Sequence, residues 1–588
     1  MDMLLRDVTI SELAHIYARH RDRSPAPYLV DPKTVRRSRR LAKKNGVWDE
    51  LSRGPEPGGD IPVLKGSDFR RLRDTKDRRL THMGARSAEL SRAALALWLG
   101  HPTGDAEYLE DLLWAYCEDT TWVHAVHDGR AIDLNSAGKA AQIAEIIYAV
   151  GDRLDEEVKA RVSEEIGKRI FRAYWDYTHF DEWKTGRNNW NHVCNGQVVR
   201  TALYEIDDPV LLAHLTHTPI QHLTYALDAF TDDGGCVEGP SYWGYGFGHF
   251  VDVAEALHMK TDGEVNIMVD KKTERISRYR LAAHIAGPYS STFADASHGP
   301  LSVTTALLIN RFHDIPELYE LCPRNVDGTL KLASMHDLAL YDGEKSTGRP
   351  DPQDYYLPEL GQAKVRGKAG RGQMTLVALA GHNGVPHNHN DVGSFIVHKY
   401  GKLSLLDPGG PMYTKKTFSP RRYEILFCSS RGHSVPLING VEQSEGARHL
   451  GKMEVRNLNG DGVKELELDM TRAYPRGTVK KLVRRFELEV DANRLILEDA
   501  YRFTKKPKSL EEAFITYERV TVAKTRASVR IGRRADGLSL RAVDCPGTFR
   551  ASRLVEESKD GRTDDVITRI TFVPRTLSKE MQLRFEIE

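Results

Sequence analysis

YDGEKSTGRPDPQDYY, residues 341–356, marks the point where the chain changes its hydrophobic period. Rich in Gly, Pro, Asp and Lys, it reads as a linker. Before it, apolar residues recur at i, i+3, i+4 and i+7, as in Ile143, Ile146, Ile147 and Val150. Leu90, Ala93, Ala94 and Leu97, and Phe250, Val251, Ala254 and Leu257, form similar helical stripes. Asp207-Asp208-Pro209 and Asp232-Asp233-Gly234-Gly235 carry the caps and breakers that separate helices. After the linker the period falls to two: Phe486, Leu488 and Val490 alternate with Arg485, Glu487 and Glu489. A turn at Asp491-Ala492-Asn493 then leads into Leu495 and Leu497. Residues 529–531, 538–540, 567–572 and 583–587 alternate likewise. The pattern predicts a helical region followed by an antiparallel, sandwich-like sheet. The boundaries expected are an N-terminal helical arm over 1–60, a helical domain over 61–350 and a β domain over 351–588. The arm ends in the Pro/Gly-rich Arg53-Gly54-Pro55-Glu56-Pro57-Gly58-Gly59.

A chain of 588 residues exceeds what one hydrophobic core supports. Its 84 basic and 83 acidic residues leave a net charge of +1, which argues against a global nucleic-acid footprint. A local basic cleft for an acidic ligand is compatible with that balance. Six scattered cysteines with no Cys-x-x-Cys pair read as free thiols in a reducing compartment. Met1-Asp2-Met3-Leu4-Leu5-Arg6-Asp7 has no basic segment leading into an apolar core, and no apolar run is long enough to span a bilayer. A cytoplasmic protein without a membrane partner is the expectation.

Pro386-His387-Asn388-His389-Asn390-Asp391 lies between two strand-like stretches, 375–380 and 394–398. If it is extended, His387 and His389 face one site. A lone His-x-His usually belongs to the surface or the core. Here Asp407, in a Leu-Asp-Pro-Gly-Gly turn, and His433, in Gly-His-Ser-Val-Pro, add a carboxylate and a third imidazole. Such nitrogen and oxygen ligands suit Zn²⁺.

Two runs in the helical half are also unusual. Arg187-Asn188-Asn189-Trp190-Asn191-His192-Val193-Cys194-Asn195-Gly196 places four asparagines where helix interior is expected, although Asn competes for backbone hydrogen bonds. It reads either as capping with a buried polar network or as neutral donors aimed at an anion. Glu238-Gly239-Pro240-Ser241-Tyr242-Trp243-Gly244-Tyr245 clusters aromatics after a glycine-rich loop, which suits stacking on sugar faces. Core packing is the plainer alternative for Trp243 and Tyr245. No P-loop, dinucleotide fingerprint or Gly-x-Ser-x-Gly elbow occurs in its required context.

These runs, in this order, resemble the heparinase II/III-like polysaccharide lyases. The resemblance rests on Asn-Asn-Trp-Asn at 188–191, Glu-Gly-Pro-Ser-Tyr-Trp-Gly-Tyr at 238–245 and His-Asn-His-Asn-Asp at 387–391. Leu-Asp-Pro-Gly at 406–409 and Arg-Gly-His-Ser-Val-Pro-Leu-Ile-Asn-Gly at 431–440 complete it, over roughly residues 80–500. It implies an incomplete (α/α) toroid followed by a β-sandwich with a cleft between them. It also implies β-elimination on a uronate-containing acidic polysaccharide or oligosaccharide. Glycosaminoglycans such as hyaluronan, chondroitin or heparin/heparan sulfate are favoured, with alginate-like polyuronates behind them. In that scheme Asn191 and His192, with Asn189, neutralise the substrate carboxylate, and His387 reaches the same cleft. Tyr242 serves as acid and also as base, with Tyr245 as the rival position. Asn195, Trp243, Tyr413 and Arg421 are expected along substrate subsites. His389, Asp407 and His433 hold a structural zinc. The chain departs from some relatives in carrying Asn195, rather than Glu or Arg, three residues after His192. A zinc-dependent hydrolase and a non-catalytic carbohydrate-binding protein are the competing readings. The size is compatible with a homodimer, though no motif specifies one.

Overall fold

The three apolar stripes lie in the helices Met83–Leu99, Leu134–Val150 and Pro240–Lys260 of the computed structural model. The structure describes residues 8–53, 61, 65–76, 83–176, 178, 181–343 and 348–588. The N-terminal run 1–7, the Pro/Gly stretch 54–59 and linker residues 344–347 lie outside the described residues.

One compact unit comprises Met1–Ala229, Trp243–Glu274 and Pro300–Arg349. It is helical. Asp208 caps the helix Pro209–Leu227 by accepting from Leu211 N at 2.7 Å. Asp133 and Ser136 form a capping box on Leu134–Val150. Trp98 and Trp122 are fully buried in this unit. The first fifty residues belong to the same unit rather than standing apart as an arm. The Tyr17 hydroxyl meets Thr216 Oγ1 at 3.1 Å, Trp98 Nε1 donates to Leu29 O at 2.6 Å, and Ser38 Oγ donates to Leu338 O at 3.0 Å.

The second unit comprises Phe230–Tyr242, Arg275–Gly299 and Pro350–Glu588. Antiparallel sheets of eight, five and four strands share one apolar core, filled by Val397, Phe486, Leu497, Phe514, Phe572 and Phe585 among others. Lys481–Glu489 pairs with Arg494–Arg502 across the expected turn. Asn493 takes a positive φ there. On Lys481–Glu489 the even-numbered residues Leu482, Arg484, Phe486 and Leu488 are buried, as a period of two requires. Arg484 therefore carries its charge into the core.

The units do not follow a single cut at residue 350. Phe230–Tyr242 and Arg275–Gly299 group with the sheets because hydrogen bonds hold them there. Glu359 N donates to Asp233 Oδ2 at 2.8 Å, Lys364 Nζ to His284 O at 2.8 Å, and Thr292 Oγ1 to Asp407 O at 2.7 Å. All six cysteines are free thiols. Among the described residues no helix is long and apolar enough to cross a membrane.

The helical unit contains a buried ionic cluster. Arg200 donates to Glu145 Oε2, His336 Nε2 lies 2.9 Å from the same oxygen, and the Tyr204 hydroxyl donates to it at 3.1 Å. Burial would raise Glu145, but the charges of His336 and Arg200 outweigh it and bring it down to about 2. His336 is shifted upward, because the Glu145 charge overcomes burial. The depressed carboxylate stabilises the fold above its unfolded pKa and loses that contribution as pH falls. The raised imidazole stabilises it below its unfolded pKa and loses that as pH rises. Glu145→Gln should therefore lower the unfolding temperature at pH 6, at a cost of about 3 kcal/mol or more for a broken buried pair. A pH series of thermal melts checks this, and the variant should lose less stability than wild type from about pH 5 to pH 3.

Candidate active site

Residues 386–391 are not extended. They form a turn in which His387 takes φ +59°. The i, i+2 alternation expected of His387 and His389 therefore fails, yet both rings reach one group by another route. His387 Nδ1 lies 2.9 Å from Asp295 Oδ2, and His389 Nε2 lies 2.9 Å from Asp295 Oδ1. Arg422 Nη2 donates to Asp295 Oδ1 at 2.7 Å and to His387 O at 3.1 Å, while its Nε donates to Asn388 O at 3.2 Å. The Tyr413 hydroxyl supplies a fourth donor to Asp295, at 3.0 Å to Oδ2. Burial alone would raise the Asp295 carboxyl, but the bonds from His387 and His389 and the His389 and Arg422 charges hold it well below the usual range. Two glycines let Asp295 sit here. A Cβ on Gly409, at φ +69°, would lie 2.6 Å from Ala296 O, and one on Gly410 would lie 2.7 Å from Asp295 O.

Tyr242 belongs to the same unit and opens the helix Pro240–Lys260. Its ring stacks on His387, with centroids 4.7 Å apart, and its hydroxyl bonds that of Tyr413. A carboxylate only accepts, so Tyr413 commits its proton to Asp295 and accepts from Tyr242. The same logic puts the hydrogen of His387 on Nδ1 and leaves a lone pair on Nε2. Burial outweighs the bond to Tyr413 and pushes Tyr242 up to about 12. Burial, then Asp295 and Tyr242, push Tyr413 further in the same direction. The Arg562 guanidinium lies 5.1 Å from the Tyr413 ring centroid and has no ion-pair partner among the described residues.

His389 faces a second cluster. With Nε2–H given to Asp295, its Nδ1 is buried and unpartnered, as is Asp391 Oδ2. Burial brings His389 down to about 4, so it is the neutral imidazole a metal requires. His433 Nε2 donates to Phe427 O at 2.9 Å and its Nδ1 lies 2.8 Å from Asp407 Oδ2; burial lowers the ring, but the Asp407 charge outweighs it and raises it to about 9 when no cation is bound. That contact is held by a proton on Nδ1, or by a cation that replaces it. Donor atoms of His389, Asp391, Asp407 and His433 all lie within 4.8 Å of one another. Two nitrogens and two oxygens fit a small divalent cation. His389, Asp407 and His433 are the expected ligands. Asp391 is the fourth, and it stands two residues beyond His389 in the same motif. With four buried protein donors the cluster resembles a closed structural site, whereas a catalytic zinc keeps an open position.

Other expected site residues lie elsewhere or do other work. Asn191 spends both amide hydrogens on the carbonyls of Lys184 and His222, each at 3.0 Å, so it has none for a substrate carboxylate. His192 is buried against Phe250 and is brought down to about 3 by that burial. Asn195 is fully buried, donating to Lys184 O at 3.1 Å and accepting from the Tyr174 hydroxyl at 2.8 Å. Trp243 is core, packed on Phe247, and stacks on no open face. Tyr245 is 41% exposed and rests against His249 in the helical unit. Arg421 is an exposed partner of Glu424, and the neighbouring Arg422 is the buried one. Asn189 is half-buried at the first turn of Asn189–Glu205. Tyr413, expected along a subsite, instead bonds Tyr242. Asp295 and Arg422 had no local signal to mark them.

Residues 349–572 match the family model described as heparinase II/III-like, C-terminal. No curated protein matches the chain by sequence. Among solved structures, the heparan sulfate lyase HepC from Pedobacter heparinus aligns over 98% of this chain and 87% of its own, at 14% identity and a TM-score of 0.59. A heparinase III aligns over 95% and 93%, at 12% identity and a TM-score of 0.61. A mutant of the chondroitin AC lyase of Streptomyces coelicolor A3 aligns over 98% and 82%, at 12% identity and a TM-score of 0.52. These likenesses establish the fold, a helical toroid followed by β-sheets.

Purified protein should retain one divalent ion per chain, read by elemental mass spectrometry. Asp391→Ala should lose it, and chelation should lower the unfolding temperature by at least ~5 °C. Background metal with an unchanged melt would instead assign a shared proton to His433 and Asp407.

Proposed function

Starting from a chain whose residues 349–572 form a heparinase II/III-like C-terminal domain, we propose a lyase that cleaves uronate-containing acidic polysaccharides by β-elimination. Glycosaminoglycans are the favoured substrate class. The observation that carries this reading is the directed chain from Tyr242 through Tyr413 to Asp295, with His387 bonded to the same carboxylate. It sets a group that holds a proton beside one that can take a proton.

His387 Nε2 removes the C5 proton of the uronate. The electron pair forms the C4=C5 double bond and the C4–O4 bond breaks. O4 takes the proton of the Tyr242 hydroxyl, and the proton on His387 then returns to Tyr242. The product is an unsaturated uronate at the new non-reducing end. A tyrosine held at about 12 is protonated at neutral pH, which suits an acid. Tyr413 is held protonated as well, so His387 is assigned as the base. Negative charge developing at the uronate carboxylate needs fixed donors. We assign this role to Arg562 in the β unit, beside the Tyr413 ring, since Asn191 and His192 are committed within their own helix packing. Zinc, held by His389, Asp391, Asp407 and His433, would neutralise the buried carboxylates and stiffen the loops that carry them.

The test is the absorbance of the unsaturated product with hyaluronan, chondroitin sulfates, heparan sulfate, heparin and alginate. Tyr242→Phe and His387→Ala should each lower kcat by roughly a hundredfold or more. Asn191→Ala should lower the unfolding temperature, since its amide holds the carbonyls of Lys184 and His222. Release of reducing ends without absorbance would replace the lyase with a hydrolase.

A further inference from the structure

Away from the tyrosine and histidine cluster, the β unit has a cavity of about 630 Å³. Its wall includes Arg448, Arg472 and Arg476 with His449, Tyr474 and Ser444, and no acidic residue lines it. Three exposed arginines line it, and among the described residues none of them has an ion-pair partner, in a chain whose net charge is only +1. Elsewhere on the sheets Arg485 pairs with Glu467 and Arg494 with Glu489. The lining of the cavity is therefore positive with no acidic residue to balance it.

The wall is also built. His449 is buried and lies between two of the arginines. Its Nδ1 is 3.2 Å from Arg472 O, and its Nε2 accepts from Arg448 Nε at 3.1 Å. The carbonyl must accept, so the ring carries its hydrogen on Nδ1 and presents Nε2 to Arg448. That bond fixes the plane of the Arg448 guanidinium and leaves its two terminal nitrogens for a ligand. Tyr474 is buried with its hydroxyl given to Pro436 O at 2.6 Å, which makes a rigid floor. Ser444 connects the wall to the histidine loop: its carbonyl accepts from Asn383 Nδ2 at 3.0 Å, and Asn388 Nδ2 donates to Asn383 O at 2.8 Å.

We propose that this cavity is a second saccharide site, which holds carboxylate or sulfate groups of an acidic glycan away from the scissile bond. Planar guanidinium forks match both oxyanions in bidentate fashion. The volume lies within the range of about 300–1,000 Å³ typical of sites that enclose small molecules. An extended polyanion engaged at two places on one unit gains from effective concentration, so long chains are retained better than short fragments. The inference takes its ligand class from the lyase reading; the charge and shape of the cavity stand without it.

The test is equilibrium binding of end-labelled heparan sulfate, chondroitin sulfate, hyaluronan and alginate to the full chain. Wild type is compared with the triple variant Arg448→Ser, Arg472→Ser, Arg476→Ser. The control removes three exposed arginines outside the cavity, Arg533→Ser, Arg534→Ser and Arg550→Ser. Thermal melts verify folding of each. At least one glycan should bind wild type, and the cavity variant should bind it roughly ten- to hundredfold more weakly, the loss of one or two charge-assisted contacts. The control should stay within about twofold, since its three arginines line no shared cavity with His449 and Tyr474. Equal weakening in both triples, unchanged binding in the cavity variant, or no glycan binding at all would overturn the site. Capture of short single-stranded DNA in preference to every glycan would overturn the assignment of its ligand. Product absorbance on the same samples separates the two readings. Binding through the cavity without product sinks the lyase and leaves this site, whereas product with an unaffected cavity variant does the reverse.

Discussion

One buried carboxylate sets the geometry of the candidate site. Asp295 has no solvent-exposed side-chain surface, and an ionised group so placed costs several kcal/mol unless it is fully bonded. His387, His389, Arg422 and Tyr413 supply the bonds. Each of them is oriented in return. The two oxygens divide the labour: Oδ2 takes Nδ1–H of His387 and the Tyr413 hydroxyl, and Oδ1 takes Nε2–H of His389 and Arg422. One oxygen thus directs protons among the groups proposed to react, and the other prepares the Nδ1 lone pair of His389 for a metal. The proposed acid–base groups and the candidate metal cluster share a single anchor.

A buried cation does the complementary work. Arg484 points into the core because the period of its strand leaves it no other direction. Asp499 takes two of its hydrogens, at 2.8 and 2.6 Å. Its Nη1 donates to Gly393 O at 2.8 Å and to Ser434 O at 2.6 Å. Gly393 follows Asp391 by two residues and Ser434 follows His433. The guanidinium therefore ties together the two loops that carry metal ligands, before any ion is considered. A site held by rigid, fully bonded neighbours needs little reorganisation when charge develops in it.

The helical and sheet halves were legible because periodicity, caps and turns depend on near neighbours. Asp208 and Asp133 cap the helices that follow them, and Asn493 takes the left-handed conformation that an Asx turn tolerates. That His389, Asp407 and His433 offer a set of metal-type donors was legible for a related reason: donor type and flanking turns are local. The conformation of the histidine loop was not, since nothing in the residue type of His387 announces a positive φ. The asparagine run was ambiguous from composition. Hydrogen bonds to Lys184, His222 and Tyr174 decide it, and those partners come from other parts of the helical unit.

Sequence alone thus determined the order of the two halves, the approximate elements and the chemical kinds of group available, all of which follow from spacing along the chain. The tertiary structure decided which of those groups act together. Asp295 stands 92 positions from His387. Arg421 and Arg422 are adjacent in sequence yet face solvent and core respectively. Tautomer, pKa and access are set by whatever charge or carbonyl folding brings within a few ångströms, and no local pattern carries that information.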